Sequence, residues 1–184
     1  ATQFSFVYDN AKPTVAITSA QSSPTNAGTI NMTVNFSEAV SGFDLSDLVV
    51  ANGTAVNFVA VSLQQYTFDI TSPSGVVTVN IASGAASDAA GNSSNAATQF
   101  SITYDAVNPT ITLTSNKSSP TNASTINMTV DFSKAVTGFD SSDIVVVNGT
   151  LGNFNTVSAQ QYTFDITSPS GTVTVNIAAG VAQD

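Results

Sequence analysis

The chain is nearly one sequence written twice. SSPTN-x-x-TINMTV occupies residues 22–34 and again 118–130, and QQYTFDITSPSG occupies 64–75 and again 160–171. Pro24 and Pro120 stand 96 positions apart (120 − 24), as do Tyr8 and Tyr104, Tyr66 and Tyr162, and Asp88 and Asp184. No insertion or deletion interrupts the match. A fixed period with mild drift marks an array of like units, and a unit of this length is a whole small domain rather than a solenoid turn. Such arrays set length, stiffness or valency more often than they carry out chemistry.

The ends follow the same period. ATQFSFVYD at 1–9 matches ATQFSITYD at 97–105. The chain therefore divides into residues 1–8, the final strand of a preceding repeat; 9–104, a first repeat; and 105–184, a second repeat that lacks its final strand. Two readings of these ends stand open. In one, the chain is a window cut from a longer array. In the other, it is a subunit with a spare strand at one end and a missing strand at the other, able to polymerise by strand donation.

Within one repeat, apolar residues recur with period two. Ile30, Met32, Val34 and Phe36 share one face of a segment, with Asn31, Thr33 and Asn35 on the other. Tyr66, Phe68 and Ile70 alternate in the same way, as do Val77, Val79 and Ile81, and Phe100, Ile102 and Tyr104. This is the pattern of half-buried antiparallel strands. Further strands are expected at 14–19 and 48–51, and a weaker one at 57–61. Ser-Pro-Thr-Asn at 23–26, Asn52-Gly53, Ser-Pro-Ser-Gly at 72–75 and Gly91-Asn92 supply the turns. Phe43 to Asp47 breaks the alternation and fits a short helical turn. About seven short strands per repeat predict an all-β fold of tandem immunoglobulin-like sandwiches. There is no Trp and no Cys, so packing of Val, Ile, Phe and Tyr must hold the two sheets together.

Composition narrows the function. There is no His, and all three cationic residues are lysines: Lys12, Lys117 and Lys134. The net charge is −9, which argues against a nucleic-acid partner because phosphate binding needs cationic surface. Without His or Cys, the familiar nucleophile–base pairs cannot form, and the expectation is that the chain is not an enzyme. Charged residues make up only 8% of the chain, a composition that suits an extracellular bacterial surface protein. No apolar run near 18 residues appears, so no membrane contact is expected from this segment. The Asn-x-Ser/Thr triplets at Asn52 and Asn148 are read as Asn-Gly turns rather than glycan acceptors.

One stretch carries a family resemblance. FSEAVSGFDLSDLVVANGT at 36–54, with YTFDIT at 66–71, VTVNIASGAASDAAGN at 77–92 and the closing TYD at 103–105, resembles the bacterial Ig-like repeats of large surface adhesins and biofilm-associated proteins. The second copy reads FSKAVTGFDSSDIVVVNGT at 132–150. The resemblance covers essentially the whole chain. It implies a structural spacer or stalk in a cell-adhesion protein or filament at the bacterial cell surface, extending an adhesive tip. Its partners would be neighbouring repeats of the same or an identical chain, with host, cell-surface or biofilm-matrix ligands bound by other parts of the parent. It also implies calcium at or near domain junctions. A glycan- or cell-binding module is the competing reading.

The acids allow a calcium site to be sketched. Calcium takes six to eight hard oxygen ligands. The loop at 87–92 offers Asp88 and Asn92, the linker at 104–109 offers Asp105 and Asn108, and Glu38 is a further candidate. Asp44 and Asp47 are acids of the same compact stretch as Glu38. The alternative is plain turn chemistry, in which Asp88 and Asn92 bond their own backbone and Asp44 and Asp47 cap a helical turn. Glu38 becomes Lys134 in the second repeat. That copy would then have a weaker site or none, with Lys134 free to pair with Asp131.

Overall fold

The computed structural model describes residues 2–184. They fall into two compact units, 1–106 and 107–184. In the first unit, β1 (Val15–Ser19), β2 (Thr29–Phe36), β4 (Thr54–Ala60) and β5 (Gln65–Thr71) form a four-stranded sheet in the order β1-β2-β5-β4. A second sheet has the order β3-β6-β7, from β3 (Leu48–Ala51), β6 (Gly75–Ile81) and β7 (Phe100–Tyr104). Every paired neighbour is antiparallel.

The expected alternation decides which side chains face inward. Ile30, Met32 and Val34 lie opposite Ile70, Phe68 and Tyr66 in the β2–β5 register, and all six are buried. Val77, Val79, Ile81 and Ile102 of the other sheet join them in one core. Direct cross-strand apolar pairs are the units that stabilise a sheet, and two such faces packed together make a sandwich. At one end of the core, Phe43 meets Phe36 and Tyr66 edge-on with ring centroids 5.2 and 5.0 Å away. Phe58 stacks on Tyr66 at 5.7 Å. These rings supply the inter-sheet packing in a domain with neither Trp nor disulfide. Phe132, Phe139, Phe154 and Tyr162 repeat the arrangement in the second unit.

Two details depart from the expected strands. The strand expected at 57–61 begins at Thr54. Its register against β5 shifts between Val56 and Val59, where Asn57 takes φ +54°. A bulge of this kind breaks the alternation and hides the strand from a period-two reading. At Asn52-Gly53 the left-handed residue is Asn52, with φ +58°. Gly53 is required for space, because a Cβ there would meet Ile70 Cγ2 at 2.5 Å. The helical turn expected around 43–47 is a single 3-10 turn at Leu45–Asp47.

The second unit repeats the four-stranded sheet, in the order β11-β12-β9-β8, from β8 (Ile111–Ser115), β9 (Thr125–Phe132), β11 (Thr150–Thr156) and β12 (Gln161–Thr167). Its other sheet has two strands among the described residues, β10 (Ile144–Val147) and β13 (Thr174–Ile177). The counterpart of β7 is not among them. β13 has four residues where β6 has seven, as expected of a strand with a neighbour on one side only.

Candidate functional site

In the first unit the chain gathers three carboxylates. Oxygens of Asp9, Glu38 and Asp88 all lie within 4.8 Å of one another. Backbone ties bring the three segments together. The Ser37 N–H donates to the Thr14 carbonyl at 2.9 Å and the Thr14 N–H to Ser37 Oγ at 3.0 Å, which sets Glu38 beside the entering chain. Ser41 and Ser87 exchange two backbone bonds of 2.8 and 3.0 Å, which carry the loop holding Asp88 to the same place. The Asn95 N–H donates to the Pro13 carbonyl at 2.9 Å.

The three acids differ in setting. Asp9 is exposed, Glu38 half-buried and Asp88 buried. Asp88 Oδ1 accepts from the backbone N–H groups of Ala90 (2.9 Å) and Asn92 (2.8 Å), and Oδ2 accepts from Asn92 Nδ2 at 2.8 Å. These bonds favour the ionised carboxylate. The Asn92 amide first, and the backbone N–H groups with it, hold the Asp88 carboxyl below its ordinary range. Glu38 moves the other way: burial first, then the charges of Asp88 and Asp9, push its carboxyl above its ordinary range. One anchored anion, one exposed anion and one strained carboxylate meet at a point. Hard oxygens with excess negative charge are what a calcium-sized cation takes.

Of the residues expected from sequence, the structure brings Glu38, Asp88 and Asn92 together, with Asn92 as the orienting partner of Asp88. The third carboxylate is Asp9, which the sequence reading did not single out. Its signal was available: Asp9 is the counterpart of Asp105 one period earlier, so the acid that joins the 87–92 loop comes from the segment entering the domain. Asp105 and Asn108 lie on opposite sides of the division between the units and are not members of this cluster. The Asp105 N–H donates to the Thr25 carbonyl at 2.9 Å. Asp44 and Asp47 form a capping box. Asp44 Oδ1 accepts from the Ser46 N–H at 2.7 Å, and Asp47 Oδ2 accepts from the Asp44 N–H at 2.9 Å.

In the second repeat the counterparts of Glu38 and Asp88 are Lys134 and Asp184. Lys134 Nζ lies 2.6 Å from Asp184 Oδ2 and also donates to the Val107 carbonyl. Sequence pointed to Asp131 as its partner. Asp131 instead accepts from Gln161 Nε2 across the sheet at 2.7 Å. Asp131 lies on β9 opposite Gln161, whereas Lys134 lies past the end of that strand.

Two antiparallel sheets around one apolar core, repeated at a fixed period, define tandem immunoglobulin-like sandwich domains. The family described as "Bacterial Ig-like domain" matches at residues 9–104 and 105–184. The chain belongs to that family. No curated protein sequence matches it. Among solved structures, InvD of Yersinia pseudotuberculosis is similar over 96% of this chain and 57% of that one, at 15% identity and a TM-score of 0.35. The chain thus spans little more than half of that structure's length, and no argument rests on so distant a likeness.

Proposed function

We propose that the chain is a spacer segment of a repetitive bacterial cell-surface adhesin or filament, each domain adding length between the cell and an adhesive tip. The observation that carries this reading is what the repeat keeps and what it lets drift. The inward residues of β2 and β5 reappear unchanged in β9 and β12: Ile30 as Ile126, Met32 as Met128, Phe68 as Phe164, Tyr66 as Tyr162. The acidic cluster does not reappear, since Glu38 becomes Lys134. A module retained for its fold, with its one polar cluster free to vary, serves by its dimensions. Membership of a non-catalytic domain family supports a role without chemistry, and an extracellular location agrees with it.

The finer part of the reading is that Asp9, Glu38 and Asp88 hold calcium in the first repeat and so fasten the entering segment to the domain. Support comes from the second repeat, where the lysine ammonium meets the carboxylate equivalent to Asp88. A covalently attached cation stands there where the first repeat gathers only anions. This ligand set binds within one domain, on the side of the incoming chain.

The spacer role is tested with arrays of two, four and eight copies of residues 9–104, a unit that contains all seven strands β1–β7. Small-angle scattering should give a maximum dimension that grows by a constant increment per copy. A dimension that levels off as copies are added would sink the spacer reading.

A further inference from the structure

One strand of this chain is unpaired, and one groove of matching shape is uncovered. Residues 2–8 (TQFSFVY) belong to no strand, and Phe4, Phe6, Val7 and Tyr8 are 86%, 77%, 93% and 79% exposed. In the second unit, the groove beside β13 is lined by Leu113, Ile126, Met128, Pro169, Val173 and Val175. Their counterparts in the first unit are buried: Ile17, Ile30, Met32, Pro73, Val77 and Val79. Val77 and Val79 are 0% exposed, while Val173 and Val175 are only half-buried. The difference is β7. It pairs with β6 in the register Val79↔Phe100, Val77↔Ile102 and Gly75↔Tyr104 and drives Ile102 into the core at 1% exposure. Its other edge is fastened to the 23–25 loop: the Thr25 N–H donates to the Thr103 carbonyl at 2.9 Å, and the Thr103 N–H to Ser23 Oγ at 3.0 Å.

The sequence that fills this groove in the first unit is TQFSITY, at 98–104. Residues 2–8 match it except that Phe6 replaces Ile102 and Val7 replaces Thr103. We infer that the groove of the second unit is a strand-acceptor site whose occupant is the segment 2–8 of a second copy of this chain. Shifting the observed register by one period sets Phe4 against Val175, Phe6 against Val173 and Tyr8 against Gly171. Val7 then receives the Thr121 N–H and donates to Ser119 Oγ. An added antiparallel strand gains affinity from main-chain bonds and specificity from alternate side chains in pockets. It also covers a sheet edge that is otherwise an invitation to non-specific pairing. Donor and acceptor are different surfaces, so the contact is head-to-tail and produces open chains or rings rather than a closed two-fold dimer. This goes beyond the spacer reading, because it gives the chain a specific partner that a spacer does not require.

The test uses the chain of residues 1–184. Light scattering over a concentration series should give masses in multiples of 18.7 kDa. Phe6→Asp, which alters only an exposed side chain, should return the protein to a single copy, as should deletion of residues 1–8. A peptide TQFSFVYD added to the deleted form should slow amide hydrogen exchange at Val173 and Val175 and leave Val77 and Val79 unchanged. Extending the chain beyond Asp184 with a copy of residues 89–105 supplies the strand in cis and should abolish association. A single-copy mass at millimolar concentration would overturn the inference. So would association that persists in Phe6→Asp, or a peptide that leaves exchange at Val173 untouched.

Discussion

Lys134 Nζ sits 2.6 Å from Asp184 Oδ2, at the point of the second repeat where the first sets Glu38 against Asp88. One fold therefore meets the same local excess of negative charge in two ways. The second repeat carries a cation on its own side chain, and the first gathers three carboxylates. Opposite charge within a few ångströms favours the ionised carboxylate and like charge disfavours it, which makes the two repeats respond differently to metal and to pH.

Glu38→Lys in residues 1–104 should convert the first repeat to the second repeat's arrangement. In EDTA the variant is expected to melt at a higher temperature than the parent. The parent should gain a saturable increase with added calcium, and the variant none. Differential scanning calorimetry with and without calcium reads both effects, and a parent that ignores calcium would remove the metal from the account.

The pH dependence of metal-free stability should have two limbs. The Glu38 carboxyl is raised above 4.5 in the folded state, by burial first and then by Asp88 and Asp9. A raised pKa means the folded form holds the proton more tightly, so its stabilising effect is present at low pH and is lost as pH rises through the folded value. Asp69 is lowered below 3.8 by the amides of Asn57 and Asn31, and Asp88 is lowered chiefly by Asn92. Their stabilisation is present above 3.8 and is lost as pH falls through the folded values. Stability should therefore rise from neutral pH toward the Glu38 range and fall again in stronger acid. Glu38→Gln should flatten the first limb and leave the second, as measured by urea midpoints across pH.

Phe68 is 1% exposed and faces Met32 across the β2–β5 pair. Truncation to Ala removes a buried ring and leaves a cavity, for a loss of about 3–5 kcal/mol in denaturant unfolding of residues 9–104. Phe164→Ala should cost a similar amount in the second repeat, where the ring is equally buried. A loss under about 1 kcal/mol would mean that the ring does not face the core.

Gly53→Ala should destabilise the first repeat by about 1–3 kcal/mol, the usual cost of forcing extra volume into a packed site. The added Cβ would meet Ile70 Cγ2 at 2.5 Å, and Ile70 is fully buried. Gly28→Ala is the matched control, since nothing lies within 4 Å of a Cβ there. Thermal melting of the two variants side by side would show whether close approach, rather than glycine's backbone freedom alone, is what position 53 needs.

The strands, the core face and the turn residues were legible in the sequence because each depends on neighbours along the chain. Alternation of Ile30, Met32 and Val34 with polar partners fixes which side is buried whatever the strand pairs with. The bulge at Asn57 was not legible. Its left-handed backbone is held from across the sheet, where Asn57 Nδ2 and Asn31 Nδ2 both donate to the Asp69 carboxylate at 2.9 and 2.8 Å. The capping box of Asp44 and Asp47 lies within four residues, and sequence offered it as one of two readings.

The sequence by itself determined the repeat length, the all-β architecture and the family, because a period and an alternation survive without knowledge of which strands meet. Tertiary structure decided that Asp9, rather than Asp105, completes the acidic cluster with Glu38 and Asp88. It also decided that Lys134 meets Asp184 rather than Asp131, and that one sheet edge in the second unit is left open among the described residues. Each of these depends on segments distant in the chain being carried together by backbone ladders such as Ser41–Ser87. A linear pattern records which residues are present, and only the closed sandwich sets the distances at which their charges and edges meet.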